Sequence, residues 1–162
     1  MADSAALLVD EVLLEHPMSQ RVLSFLFPLR FLFASRPEIM GRVLGIVYRV
    51  IATHLIKSVG QTHTTVRTGE VTLIQRFGAA LNLNIHFHML FLDGVYADNP
   101  HGSARFRWIK APTSEELTQL VYTIANRVEY STMNDHIQPV FWASIMRPFL
   151  FCHTANTRCS IA

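Results

Sequence analysis

The sequence predicts an α+β fold, with helices and antiparallel strands in separate stretches of the chain. Two stretches carry apolar residues at helical spacing, one beginning at Pro37 and the other after Thr113. Between them, residues 66–110 mix alternating strand-like runs with glycine, asparagine and proline, which is typical of strands joined by turns. A length of 162 residues is enough for one domain with a buried core.

The first third of the chain predicts two short elements and one long helix. Residues 4–15 place apolar side chains on roughly one side, as a short amphipathic helix would. The segment from Gln20 to Phe27 is rich in β-forming residues and predicts a buried strand that Pro28 ends. From Pro37, apolar residues recur on one helical face until Gly60, which predicts a long helix.

The middle of the chain predicts three strands. Residues 66–77 contain β-branched side chains and alternating polar positions, and a turn-like stretch at 78–82 separates them from a second strand at 84–92. Asp93 and Gly94 then offer turn chemistry. Residues 105–110 alternate basic and apolar side chains, which predicts a strand with one basic face.

A capping box predicts where the second long helix begins. Thr113 and Glu116 have the spacing at which each side chain can cap the backbone of the other, and apolar spacing continues to Val128. After about Tyr130 the periodicity fades. We therefore predict a domain over residues 1–130 and a divergent tail over residues 131–162 that is not a domain of its own.

Composition limits the class of protein. Charged residues make up 16% and apolar residues 50%, so the polar surface is thin and a partner is expected. The net charge of +2 is too small to indicate nucleic acid by itself. The acidic N-terminus does not resemble a signal peptide, and the apolar segments at 22–34 and 140–151 are shorter than the roughly 20 residues of a membrane span. We expect a cytoplasmic protein without a membrane partner.

His86 and His88 form the pattern with the clearest chemistry. Histidines two residues apart on a strand project from one face, about 6.5 Å apart along the backbone, so both imidazoles can reach one cation. Phe87 then points into the core. Two ligands leave the site incomplete, and a third could come from Gln75 on the neighbouring strand or from Asn84.

The alternative interpretation of this pair is two hydrogen-bonded strand histidines without a metal, because short motifs often arise by chance. The surrounding sequence favours the metal. Residues 72–94, TLIQRFGAALNLNIHFHMLFLDG, resemble the signature of the two-tyrosine rolling-circle transposases of the insertion sequence ninety-one type. This family belongs to the HUH endonuclease superfamily. The resemblance extends over about residues 5–128 and includes the segment from Phe27 to Leu32 and the helix start at Arg36-Pro37-Glu38.

The resemblance implies a palm-like antiparallel sheet with helices on one side and the two histidines on a central strand. It also implies a divalent cation, Mg²⁺ or Mn²⁺, held at His86 and His88. In such transposases the cation polarises the scissile phosphate of single-stranded DNA while a tyrosine attacks it, which leaves a 5′-phosphotyrosine. The family's nucleophilic tyrosines lie downstream of the resembling region. The sequence departs from the family near Glu129, so we expect a truncated chain that cannot cleave.

Several basic and aromatic residues could contact DNA, but each also has an ordinary structural role. Arg76, Arg105, Arg107 and Lys110 could line a groove for a DNA backbone, or form an ordinary solvated face. Trp108 could stack on a base, but a core aromatic is the better interpretation.

Tyr122, on the second long helix, could stand in for the missing nucleophile, but packing is the more common role of such a tyrosine. The sequence is compatible with three functions. The chain is a truncated single-strand DNA transposase, or a non-catalytic module that binds single-stranded DNA, the full-length enzyme or itself, or a remnant without function.

Overall fold

The computed structural model describes residues 16–25, 27–78, 82–98, 104–133 and 152–155. These residues form helices and antiparallel strands, which confirms the α+β class. The helices are α1 (Phe27–Ser35), α2 (Pro37–Ser58) and α3 (Ser114–Met133). The strands are β1 (Met18–Ser24), β2 (Val66–Arg67), β3 (Glu70–Phe77), β4 (Leu83–Leu92), β5 (Gly94–Ala97), β6 (Arg105–Trp108) and β7 (Cys152–Ala155).

Two antiparallel sheets organise the described residues. The larger sheet has the order β3-β4-β1-β7, so β4 lies inside it with a hydrogen-bonded neighbour on each side. The smaller sheet has the order β2-β5-β6. Only Asp93 separates β4 from β5, and the smaller sheet therefore follows the end of β4 directly.

One face of β4 forms the centre of the hydrophobic core. Ile85, Phe87, Met89 and Phe91 are buried, and each residue between them is only partly buried. The ring of Phe87 has no exposed surface and packs edge-on against Phe25, with ring centroids 4.8 Å apart. This strict period of two shows that helices cover one face of the sheet, while no helix among the described residues covers the other, which we call the open face.

Helices α2 and α3 form most of the covering layer. The apolar stripe of α2, predicted from its spacing, is buried from Ile39 to Ile56 and belongs to the same core cluster as β4. By length and composition alone, its 22 residues could cross a membrane. However, 56% of its apolar 18-residue stretch is buried inside the fold. The helix is therefore a core helix packed against a sheet.

The predicted capping box is present at the start of α3. The backbone N–H of Thr113 donates to Oε2 of Glu116 at 2.7 Å, and the backbone N–H of Glu116 donates to Oγ1 of Thr113 at 3.2 Å. The two bonds satisfy N–H groups that the first turn of a helix cannot pair internally. Leu120, Ile124 and Val128 then face the core.

The structure differs from the sequence prediction around Pro28. The strand predicted for residues 20–27 ends at Ser24, and α1 begins at Phe27. Proline near the first turn of a helix interrupts no helical hydrogen bond, so Pro28 lies inside the start of α1 instead of ending a strand. The other predicted strand boundaries shift less. Residues 66–77 form β2 and β3, with Thr68 and Gly69 between them.

Trp108 was predicted to be a core aromatic, and this was wrong, because the side chain is 59% exposed. It ends β6, which among the described residues has a strand partner on one side, and it lies opposite Gly94 in that pair. The space over Gly94 is filled by the ring of Phe106, which a Cβ at this glycine would overlap. Gly94 was predicted as part of a turn, but it is the first residue of β5.

Two predictions concern the ends of the chain. The helix predicted at residues 4–15 lies outside the described residues. In the predicted tail, residues 152–155 form β7, which pairs with β1 at the edge of the larger sheet. The division at residue 130 remains a prediction.

Candidate metal centre on the open face of the sheet

His86 and His88 lie on the face of β4 that no described helix covers. They alternate with the buried Ile85, Phe87 and Met89 and are themselves partly exposed. Their ring centroids are 6.2 Å apart, with 54° between the ring planes. The predicted geometry of two imidazoles on one strand face is therefore present.

His86 is oriented by a serine on β1. Ser24 is directly opposite His86 in the antiparallel register, and its Oγ lies 2.7 Å from Nδ1 of the imidazole. This hydrogen bond holds the ring by one nitrogen. Because Nδ1 is occupied, Nε2 is the nitrogen of His86 that remains for a ligand.

His88 is held by glutamines on both neighbouring strands. Nε2 of Gln20, on β1, lies 3.4 Å from Nδ1, and Oε1 of Gln75, on β3, lies 2.9 Å from Nε2. The amide nitrogen of Gln75 in turn donates to the carbonyl of Phe77 at 3.0 Å, which directs its oxygen toward His88. Two donor atoms, an imidazole nitrogen and an amide oxygen, thus converge at one point of the open face.

The tautomer of His88 follows from these partners. An amide nitrogen only donates, so Nδ1 accepts from Gln20 and Nε2 carries the hydrogen that Gln75 Oε1 accepts. A cation bound to Nε2 would replace that hydrogen. The hydrogen would then belong on Nδ1, and the Gln20 amide would turn to present its oxygen.

The electrostatics of the site favour the neutral form of His86. Partial burial lowers the pKa of His86 below its ordinary value of 6.5, and the positive charges of Arg30 and of a protonated His88 lower it further. The neutral imidazole is the form that binds a metal. The environment therefore keeps His86 ready to bind near neutral pH.

Gln75 is placed better than Asn84 as a third ligand. Gln75 is opposite His86 in the register and touches His88, while Asn84 shares the face but makes no side-chain hydrogen bond in the described part of the chain. Within that part, no group of three histidine, cysteine, aspartate or glutamate side chains could hold a metal. The available donors are two imidazoles and an amide oxygen, a mixed nitrogen and oxygen set that fits Mn²⁺ better than Mg²⁺.

Three side chains of the site were not predicted from sequence. Ser24 and Gln20 reach the histidines only because β1 pairs with β4 across more than 60 residues of chain. Arg30 comes from α1, where its side chain also donates to the carbonyl of Phe25. Local sequence gives no alternating signal for the first two, because Ser19, Gln20 and Arg21 are consecutive polar residues.

The four basic residues predicted to line a DNA groove are all exposed. Arg76 is on β3, beside Gln75 but with the opposite strand parity. Arg105 and Arg107 are on β6 in the smaller sheet, and Lys110 follows that strand. These residues therefore belong to two sheets, and their role in a DNA groove stays a prediction.

Tyr122 lies on the wrong side of the sheet to act at the histidines. It is exposed on α3, whose buried residues pack against the core that covers the helix face of β4. The sheet itself therefore stands between Tyr122 and the open face. Tyr122 is 50% exposed, which agrees with the more common role, in which the ring packs at the edge of the apolar stripe and the hydroxyl lies at the surface.

Comparison with known proteins gives one match. Residues 69–144, just under half of the chain, match the family model described as "Putative transposase". The matched segment begins next to β3 and includes both histidines, Gln75 and all of α3. No curated protein and no solved structure matches the chain. The match supports a transposase family and a role in DNA transposition.

Proposed function

We propose that this chain carries the metal-binding half of the active site of a single-strand DNA transposase of the HUH, rolling-circle type. The observation that carries the proposal is that His86 and His88 on β4 and Gln75 on the neighbouring strand β3 share the open face. The two imidazoles are 6.2 Å apart, Gln75 contacts His88, and each of the three side chains has a further hydrogen bond. The transposase match covers these three residues. The rigid core beneath β4 supplies the preorganisation that such a site needs.

In this proposal His86 Nε2, His88 Nε2 and Gln75 Oε1 hold a divalent cation, with Mn²⁺ preferred over Mg²⁺. When bound, the cation withdraws charge from the oxygens of a scissile phosphate. Ser24 and Gln20 fix the rings by their Nδ1 atoms. Metal-binding histidines commonly need such partners.

Arg30 has a separate part in the proposal. Its positive charge lowers the pKa of His86, and in the proposal the same charge attracts a phosphate bound at the site. Arginine suits this role because its guanidinium donates two parallel hydrogen bonds to phosphate oxygens.

The proposal does not give this chain a nucleophile. In the described residues, Tyr122 is separated from the histidines by the sheet, and the sequence offers no tyrosine matching the family's pair. We therefore propose that the chain binds single-stranded DNA and a cation in the cytoplasm but does not cleave by itself. In this proposal, strand transfer would need a tyrosine supplied by another polypeptide.

A second candidate function is a non-catalytic interaction module. It is favoured by the edge strand β3, where Leu73, Ile74 and Phe77 are large, apolar and exposed. Leu73 is opposite His88 and therefore shares its face. Under this alternative the open face binds DNA bases or another chain, and the histidines are structural.

A thermal melt with and without Mn²⁺ separates the two functions. At a concentration of 100 times Kd, a bound cation stabilises the folded state by about 2.7 kcal/mol. We expect this shift in the parent protein and its loss in the His86→Ala, His88→Ala double variant.

Leu90→Ala is the matched control for that melt. Leu90 is on the same face, two residues beyond His88, so its removal loosens packing there without removing a donor. The control should keep the Mn²⁺ shift. Equal shifts in the parent and the double variant would favour the interaction module.

A further inference from the structure

A basic groove lies on the helix side of the molecule, away from the histidines. It has a volume of about 660 Å³ and lies between α2, the segment that follows it, β2 and α3. Each of these helices and strand β2 contributes one arginine, namely Arg49, Arg67 and Arg127. These residues are far apart in sequence, so only the folded chain brings their charges together.

The groove contains positive charge without matching negative charge. In the described part of the chain, no aspartate or glutamate lines it, and the side chains of its three arginines form no ion pair and no hydrogen bond. Neutral polar groups, including the hydroxyls of Thr53 and Thr68, line the rest of the polar surface. Three guanidinium groups around one groove repel each other, and an anion seated between them relieves that repulsion.

The form of the groove favours a phosphate backbone over a base. Arginine binds phosphate oxygens through two parallel hydrogen bonds, which suits a phosphodiester. The aromatic side chain in the groove, Tyr48, is partly buried and its ring is stacked 6.4 Å from that of Phe91. This contact leaves the ring less free to stack on a base, and phosphate contacts alone position a strand without reading its sequence.

We propose that this groove binds the backbone of single-stranded DNA, as a second contact separate from the metal centre. The proposal rests on the proposed function for its choice of anion. The groove is on the helix side near Phe91, and the metal centre is on the open face in the middle of β4. The larger sheet therefore separates the two contacts, and each can be removed without touching the other.

The test measures the affinity of a fluorescent oligothymidine for the full chain over a series of NaCl concentrations, in EDTA. The test variant is Arg67→Gln, Arg127→Gln. The control is Arg36→Gln, Lys57→Gln, which removes the same charge from exposed positions outside the groove. Each lost phosphate contact should lower the slope of log affinity against log salt by roughly 0.7. We expect a loss of about 1.4 in the groove variant and little change in the control.

Several outcomes would overturn the inference. These are an unchanged slope in the groove variant, equal losses in both variants, absence of DNA binding by the parent, or displacement of the DNA by polyglutamate at equal charge concentration. Failure of the proposed function is distinguishable, because it is read from the Mn²⁺ shift. A groove-dependent slope that persists in the His86→Ala, His88→Ala variant supports the groove whatever the result with Mn²⁺.

Discussion

The two faces of β4 differ in what their side chains do, although they belong to the same ten residues. On the helix side, Phe87 and Phe91 have no exposed surface and fix the strand in the core. On the open side, His86 and His88 are partly exposed and are held by hydrogen bonds from both neighbouring strands. The buried face supplies rigidity and the open face supplies chemistry, so changes on the two faces should have separable effects.

The largest expected effect is on the buried face. Phe87→Ala leaves a cavity beneath the histidines and should reduce the free energy of unfolding by about 3–5 kcal/mol, measured by urea denaturation. His88→Ala, on the open face, should change it by about 0.5 kcal/mol or less. Similar losses in the two variants would contradict the division between the faces.

The second prediction concerns the orientation of His86. Ser24→Ala removes the hydrogen bond to Nδ1 and should weaken Mn²⁺ binding roughly 10- to 100-fold, measured by calorimetric titration. Ser24→Thr keeps a hydroxyl and should retain most of the affinity. If the alanine and threonine variants bind Mn²⁺ equally, the hydroxyl does not position the ring.

The third prediction decides between the two candidate third ligands. Gln75→Ala removes the oxygen that lies 2.9 Å from His88 and should lower Mn²⁺ affinity at least about tenfold. Asn84→Ala should have little effect, because Asn84 does not touch either ring among the described contacts. The reverse ranking of the two variants in the same titration would assign the ligand to Asn84.

The smallest effect is a pH dependence on the helix side. Burial lowers the pKa of His54 below 6.5, partly opposed by the charge of Glu116 and assisted by that of Arg21. As the pH falls, His54 therefore becomes protonated in the unfolded chain before it does so in the folded chain. Stability from the neutral imidazole is present above pH 6.5 and is lost as the pH decreases through the lower folded-state pKa.

Melting temperatures measured from about pH 7.5 to about pH 5.5 test this dependence. The parent should lose stability over that range, and His54→Gln should lose less. Glu70, whose pKa is raised by burial, acts in the opposite direction, but it is present in both proteins and cancels in the comparison. Parallel curves for the two proteins would contradict the assignment to His54.

Much of the fold could be predicted from local patterns. The spacing from Pro37 gave α2, alternation gave β4 and the parity of its histidines, and the capping box gave the start of α3. Helix α1 was missed because Pro28 serves equally well to end a strand or to begin a helix. Strand β5 was missed because Gly94 is a turn residue by type, while its actual role is to make room for Phe106.

The candidate site was predictable only in part. His86, His88 and Gln75 lie in one stretch, so a strand pair was enough to bring them together. Ser24 and Gln20 depend on the register of β1 against β4, which local sequence does not specify. The convergence of Arg49, Arg67 and Arg127 likewise depends on packing between three elements, which no local pattern in the sequence specifies.

The most direct test of the central claim is a titration of the chain with Mn²⁺, in which electron paramagnetic resonance counts the unbound ion. We predict one tight Mn²⁺ per chain in the parent and in Leu90→Ala, and loss of that ion in both His86→Ala and His88→Ala. Unchanged binding in the two histidine variants, or no tight ion in the parent, would contradict a metal centre on the open face of β4.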